Sequence, residues 1–296
     1  MKPVIELNKV TKLYGQTVGI KNVSLQVQSG RIFGFLGPNG AGKTTTISML
    51  VDLTRPTRGN IKIFGLDGTA DSLEIRKRIG FLAGDFALDA GLTGWQQLEY
   101  FGNLRGGLDK AYVRELAERL NCNLNRKFKT LSRGNRQKVG LISALMHKPE
   151  LLIFDEPTSG LDPLVQEEFH NIIREHKRSG GTAFISSHLL SEVQEICDEV
   201  GFVREGSLIA QENMGEIATL APRRVRVVCD DAGLAQKLGE LKGVEDMTET
   251  KSTLSFTYGG NINPLLKLAS SYKLKDLTVA EADLETVFMK IYGKAK

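Results

Sequence analysis

Residues 37–44, Gly37-Pro38-Asn39-Gly40-Ala41-Gly42-Lys43-Thr44, follow the spacing G-x-x-x-x-G-K-[ST]. Glycines so placed let the backbone turn tightly, and successive N–H groups can then converge on a polyphosphate. Lys43 has the reach and charge for β and γ phosphates, and the Thr44 hydroxyl suits Mg2+. A second centre is Leu151-Leu152-Ile153-Phe154-Asp155-Glu156, an apolar run ending in two acids. Asp155 is suited to hold Mg2+ directly or through water. Glu156 can orient or deprotonate an attacking water. Taken alone, two acids at a strand end are as readily surface groups; the phosphate loop upstream favours the chemical reading. A third candidate is Leu131-Ser132-Arg133-Gly134-Asn135-Arg136-Gln137. Ser132 reads as the N-cap of a helix running to about Met146, where a hydroxyl and a helix N-terminus can receive an anion. Spacing alone fits an ordinary capped helix better.

These groups need rigid elements to hold them. Arg31–Leu36 is a short apolar strand before the loop, and the residues from Thr44 to Val51 form a helix whose N-terminus favours an anion. Strands are expected at Ile5–Val10, Ser24–Val27, Ile32–Leu36, Ile61–Phe64, Leu151–Phe154, Thr182–Ser186 and Gly201–Arg204, alternating with helical stretches. That alternation argues for an α/β fold with a mixed sheet, antiparallel at the front and parallel behind. Between about residues 85 and 135 the pattern changes to helices, with Trp95–Leu104 and Lys110–Leu120 and no strand between them. This reads as an inserted helical subdomain. A break near Leu220-Ala221-Pro222-Arg223 divides a first domain, residues 1–220, from a second, residues 221–296. The second reads strand, helix, strand, strand, helix, strand, the order of a small α+β, ferredoxin-like unit. A last helix is expected over Leu284–Tyr292.

Composition narrows the partners. The chain has 296 residues with a formal net charge of +4. The charges are scattered, so a solvated surface fits better than a nucleic-acid patch. No apolar run approaches the roughly 20 residues that cross a bilayer. The N-terminus has no signal-peptide core, and a cytoplasmic protein is expected. Cys122, Cys197 and Cys229 lie far apart and read as reduced structural thiols. The four histidines show no zinc-ligand spacing with them.

Six motifs in order make residues 1–220 resemble the ATP-binding cassette (ABC) ATPases. Lys12-Leu13-Tyr14-Gly15 resembles the adenine-stacking loop, and residues 37–45 the phosphate loop. Leu131–Asn135 resembles the family signature. Asp155 and Glu156 resemble the metal-binding and catalytic acids, Ser159-Gly160-Leu161-Asp162-Pro163 the dimer-contact loop, and Ser186-Ser187-His188 the switch histidine. The resemblance implies a P-loop ATPase core with ATP and Mg2+ as ligands. It implies that Tyr14 stacks on adenine, that Gly37, Pro38, Asn39, Gly40, Ala41, Gly42, Lys43, Thr44 and Thr45 hold the phosphates, and that Thr44 and Asp155 serve the metal. Glu156 would polarise water and His188 contact the γ-phosphate. Ser132 and Gly134 would act on the nucleotide of a second copy, closing a head-to-tail dimer around two ATPs.

Two places depart from the family. Gly84 stands where it usually carries a glutamine, and the neighbouring Asp85 is the candidate substitute. Arg133 and Asn135 replace the usual small residue and glutamine of the signature. The resemblance implies a subunit that powers transport through a separate membrane permease, met by residues 85–100, and so a peripheral place at the inner face of the membrane. The ending Glu281–Phe288 resembles the tail of drug, polysaccharide and antibiotic exporters. The alternatives are a soluble ABC ATPase acting on ribosomes or nucleic acid, and a small-molecule kinase.

Overall fold

A computed structural model describes residues 2–220, 223–231 and 233–282. The chain divides into two compact units, Met1–Glu212 and Asn213–Lys296. The division falls before the expected break at residues 220–222, because a helix, Met214–Leu220, groups with the second unit.

The first unit runs β1 (Pro3–Tyr14), β2 (Thr17–Gln28), β3 (Ile32–Leu36), α1 (Lys43–Leu50), β4 (Arg58–Ile63), β5 (Leu66–Asp67), α2 (Ser72–Arg78) and β6 (Ile79–Leu82). It continues with α3 (Gly94–Leu104), α4 (Lys110–Arg119), α5 (Arg133–Leu145), β7 (Leu151–Asp155), α6 (Pro163–Arg178), β8 (Thr182–Ser187), α7 (Leu190–Ile196), β9 (Glu199–Arg204) and β10 (Ser207–Asn213). The expected antiparallel front and parallel core are both present, carried by two sheets. One has the order β2-β1-β4-β5 and the other β10-β9-β3-β8-β7-β6. Apolar side chains join them. Ile5, Val23, Ile61 and Ile63 of the first sheet share a core with Phe33, Phe35, Ile153 and Phe184 of the second, with Ile47 and Leu50 of α1 in the same cluster.

The parallel register decides where chemistry can occur. Leu36 pairs with Ser187, and Asp155 with Ser186. The carboxyl ends of β3, β7 and β8 therefore lie side by side, the usual ligand position of such sheets. All three strands are buried along their whole length, as the continuous apolar runs required.

The expected helical insertion is present. α3 opens with a capping box in which the Thr93 hydroxyl accepts from Gln96 and the Gln96 side chain accepts from Thr93. Arg119 at the end of α4 pairs with Glu168 and Glu175 of α6, fastening the insertion to the core layer. In the second unit, α8 (Met214–Leu220) precedes β11 (Arg223–Cys229), α9 (Gly233–Glu240), β12 (Val244–Thr250), β13 (Thr253–Tyr258), α10 (Ile262–Ala269) and β14 (Leu274–Ala282). Its sheet has the order β12-β13-β11-β14, with every recorded pair antiparallel, the arrangement of a ferredoxin-like unit. The helix expected over Leu284–Tyr292 lies outside the described residues. The cysteines are free thiols. Burial pushes the Cys122 pKa up to about 11 and that of Cys197 higher still, so neither carries thiolate at neutral pH.

Candidate functional site

The phosphate loop leaves β3 at Gly37 and enters α1 at Lys43. Gly40 and Gly42 have φ of +79° and +103°, a region open to glycine and strained for other residues. A Cβ on Gly37 would stand 2.2 Å from the Val203 carbonyl oxygen, so the loop is also pressed against β9. Lys43 is only 5 % exposed. Its ammonium donates to the carbonyls of Gly37 at 2.7 Å and Pro38 at 3.2 Å, and stands 3.5 Å from Glu156 Oε1. A buried cation that satisfies itself on its own loop fits a site built for an anion.

Thr44 Oγ1 donates to Asp155 Oδ2 at 2.7 Å. A hydroxyl and a carboxylate oxygen in contact at the head of α1 are hard donors of the kind Mg2+ takes, so these residues fit the ion. The other Asp155 oxygen, Oδ1, accepts from Ser186 Oγ at 2.5 Å. Ser186 Oγ in turn accepts from the Glu156 amide at 3.0 Å. Glu156 has φ of +47°, an uncommon conformation for a residue with a side chain. The strain turns its carboxylate back toward the loop, where Oε2 lies 3.3 Å from His188 Nδ1. Lysine, carboxylate and histidine thus form one line, with Lys43 buried and His188 half-exposed.

The remaining expected residues lie elsewhere. Tyr14, at the end of β1, is half-exposed, with the Lys12 ammonium over its ring 5.1 Å from the centre. Ser132 caps α5, as read from the sequence: its oxygen accepts from the Asn135 amide at 3.3 Å and from Asn135 Nδ2 at 3.0 Å. Gly134 meets the dimer-contact loop of its own chain, since a Cβ there would stand 2.4 Å from the Gly160 carbonyl oxygen. Arg133 Nη2 donates to Ser159 Oγ at 3.1 Å on the same loop. Among the described residues, no hydrogen bond joins Ser132 or Gly134 to residues 37–45.

Gly84 lies against Asp155, with a Cβ position 3.4 Å from Oδ2. Asp85 is exposed, and among the described residues no hydrogen bond or ion pair joins it to Asp155. The place of the absent glutamine is therefore beside Asp155. Sequence reasoning assigned no role to Ser186, although it stood in the Ser-Ser-His motif. It also missed Gln137, whose Nε2 donates to the carbonyls of Glu156 at 3.4 Å and Pro157 at 3.0 Å.

Comparisons with known proteins agree with this geometry. A family model described as ABC transporter matches residues 20–159. The bacitracin transport ATP-binding protein BcrA of Enterococcus faecalis is 31 % identical over 300 residues, covering 99 % of this chain and 97 % of that protein. The linearmycin resistance ATP-binding protein LnrL of Bacillus subtilis (strain 168) is 30 % identical, covering 98 % and 99 %. Among solved structures, an ATP-binding subunit of an ABC transporter superposes with a TM-score of 0.66 at 28 % identity, covering 72 % of this chain and 91 % of that one. A dimeric bacterial ABC transporter cassette gives 0.65 at 25 %, covering 71 % and 98 %.

Proposed function

The chain belongs to the ATP-binding proteins of ABC transporters, and from that premise we propose how its residues power transport and with which partners. It binds and hydrolyses ATP as the energy-supplying subunit of a transporter. The observation that carries this reading is the contact line Lys43–Glu156–His188 beside the Thr44–Asp155 pair, in a chain whose relatives match it from end to end.

The phosphates enter the cradle of residues 37–45, and Lys43 turns its ammonium from Glu156 to phosphate oxygens. Tyr14 offers a ring face to adenine. Mg2+, held by Thr44 and Asp155, would supply charge neutralisation on the β and γ phosphates. Glu156 orients and accepts a proton from the attacking water, and His188 holds the Glu156 carboxylate and reaches the γ-phosphate.

Ser132 and Gly134 stand apart from the phosphate loop of their own chain, which supports a role on the nucleotide of a second copy. ATP then acts as a ligand of the closed dimer, and hydrolysis releases it. The second partner is an integral-membrane permease. No helix among the described residues is long and apolar enough to cross a membrane. Residues 85–100 of the helical insertion form the face assigned to the permease, where Tyr100 is exposed. The relatives named for bacitracin transport and linearmycin resistance support export of an antibiotic or similar amphiphile.

Two measurements test this reading. Lys43→Ala is expected to abolish Mg-dependent ATP hydrolysis, and Glu156→Gln to leave ATP binding while trapping a dimer seen by light scattering. Affinity purification from detergent-solubilised native membranes is expected to recover a polytopic protein in equal amount. Recovery with ribosomes or nucleic acid instead would overturn the transport assignment and favour the soluble alternative.

A further inference from the structure

Glu192 lies outside the catalytic line, on α7, yet its carboxylate accepts two short hydrogen bonds. Thr158 Oγ1 donates to Oε1 at 2.6 Å and Ser187 Oγ donates to Oε2 at 2.6 Å. Both donors are on residues buried to 95 % or more. Thr158 stands two residues after Glu156, where the chain turns into the dimer-contact loop. Ser187 immediately precedes His188. A single carboxylate therefore joins the two strand ends that carry the catalytic pair.

Three observations fix Glu192 in place. Val193, the next residue, packs against Gly34 so closely that a Cβ there would stand 2.6 Å from Val193 Cγ1. This seats α7 on β3, the strand that feeds the phosphate loop. Ser187 Oγ accepts from the Leu189 amide at 2.9 Å, which shapes the turn around His188. Gln166 Nε2 reaches the Thr158 carbonyl at 3.4 Å, so the backbone beside the donor is also held. Short bonds to an ionised acceptor are stronger and more directional than neutral ones. Without the carboxylate, the buried Thr158 hydroxyl loses its acceptor, Ser187 Oγ keeps only the Leu189 carbonyl at 3.2 Å, and the side-chain link between Thr158 and Ser187 is lost.

We infer that Glu192 is a positioning residue for ATP hydrolysis, which holds Glu156 and His188 in register by bridging Thr158 and Ser187. The inference rests on the ATPase reading above. Glu192 acts through the two hydroxyls. Because Thr158 opens the loop assigned to the dimer contact, the same bridge ties the state of that loop to the placement of His188.

The test uses the full chain in a steady-state ATPase assay, with ATP affinity measured separately by a fluorescent ATP analogue. Glu192→Ala is expected to lower kcat tenfold or more while the analogue Kd stays within twofold, because the cradle of residues 37–45 is untouched. Glu192→Gln keeps one acceptor and is expected to recover part of the loss. Thr158→Val is expected to lower kcat severalfold, Thr158→Ser to restore it, and the Thr158→Val/Glu192→Ala double variant to be no slower than Glu192→Ala. Multiplying losses in the double variant, or a kcat for Glu192→Ala within twofold of the unaltered chain, would overturn the inference. If Glu192→Ala does not fold, the Thr158→Val and Thr158→Ser pair decides alone: equal kcat values overturn the bridge. An unaltered chain with no ATPase activity, or one indifferent to Lys43→Ala, refutes the ATPase reading itself and is told apart by that control.

Discussion

Replacing Ser186 by alanine removes one oxygen and two hydrogen bonds from the centre of the site. The residue is fully buried. Its hydroxyl donates to Asp155 Oδ1 and accepts from the Glu156 amide, so one atom orients Asp155 and anchors the strained backbone of Glu156. Loss of a hydrogen bond to a charged group costs about 1.5–3 kcal/mol, and a stranded buried N–H about 1–3 kcal/mol. A water entering the vacated space offsets part of this, so a net loss of about 3 kcal/mol is expected. For a unit of this size that lowers the melting temperature by about 6–12 °C. The kinetic effect follows separately. Glu156 at φ of +47° loses the bond that holds its amide, and a carboxylate free to relax away from His188 is expected to cost about tenfold in kcat. Thermal unfolding by circular dichroism and a coupled ATPase assay read the two effects. Ser179→Ala, at the exposed C-cap of α6, serves as control and is expected to change stability by less than about 0.5 kcal/mol. A Ser186→Ala protein that melts within about 2 °C of the parent and turns over at the parental rate would refute the reasoning.

Three further outcomes follow from the same coordinates. Gly134→Ala forces a Cβ to 2.4 Å from a backbone carbonyl oxygen, and α5 or the loop at Gly160 must shift. A destabilisation of about 1–3 kcal/mol by urea titration is expected, with ATPase activity falling at unchanged ATP affinity. Asp85→Ala is expected to keep ATPase turnover within twofold, because the Asp85 side chain is exposed. A severalfold loss would show that Asp85 replaces the glutamine absent at Gly84. Burial holds the pKa values of His147 and His176 below the ordinary 6.5, so the folded chain keeps them neutral where the unfolded chain binds protons. Their contribution to stability is therefore complete above the unfolded pKa and lost as pH falls through the folded values. His147 Nδ1 is buried without a partner while Nε2 meets the Ile79 carbonyl at 2.9 Å. His147→Gln is expected to flatten the fall in melting temperature between about pH 7 and pH 5.5.

The phosphate loop was legible because its function is a backbone shape, and shape at adjacent residues needs glycine at adjacent positions. The same locality made the Ser132 cap readable, since donor and acceptor lie within one turn of helix. The ferredoxin-like order was readable because alternation marks each short strand. Ser186 and Glu192 were not legible. Each acts through a partner about thirty residues away in sequence, and only the parallel register of β7 with β8 brings those partners together. The separation into two sheets was hidden for the same reason. β1 and β2 look like the front of any mixed sheet until β3 is seen to pair with β8 and β9 instead. β10 escaped because it carries no buried face by which alternation could mark it.

The carboxylates of the site also explain how ATP binding prepares hydrolysis. Asp155 is balanced by the Thr44 and Ser186 hydroxyls, Glu192 by those of Thr158 and Ser187, and Glu156 by Lys43 and His188. Only the last balance includes a residue that the phosphates must claim. An ammonium has three N–H donors. They face the Gly37 carbonyl, the Pro38 carbonyl and Glu156, and the contact with Glu156 is the longest at 3.5 Å. A phosphate oxygen arriving in the cradle therefore displaces Glu156 before it displaces the loop carbonyls. That leaves the carboxylate held by His188 alone, with one oxygen free to take a proton from water. With Glu156 as the proposed base, its pairing with Lys43 would couple occupancy of the loop to release of that carboxylate within a single chain.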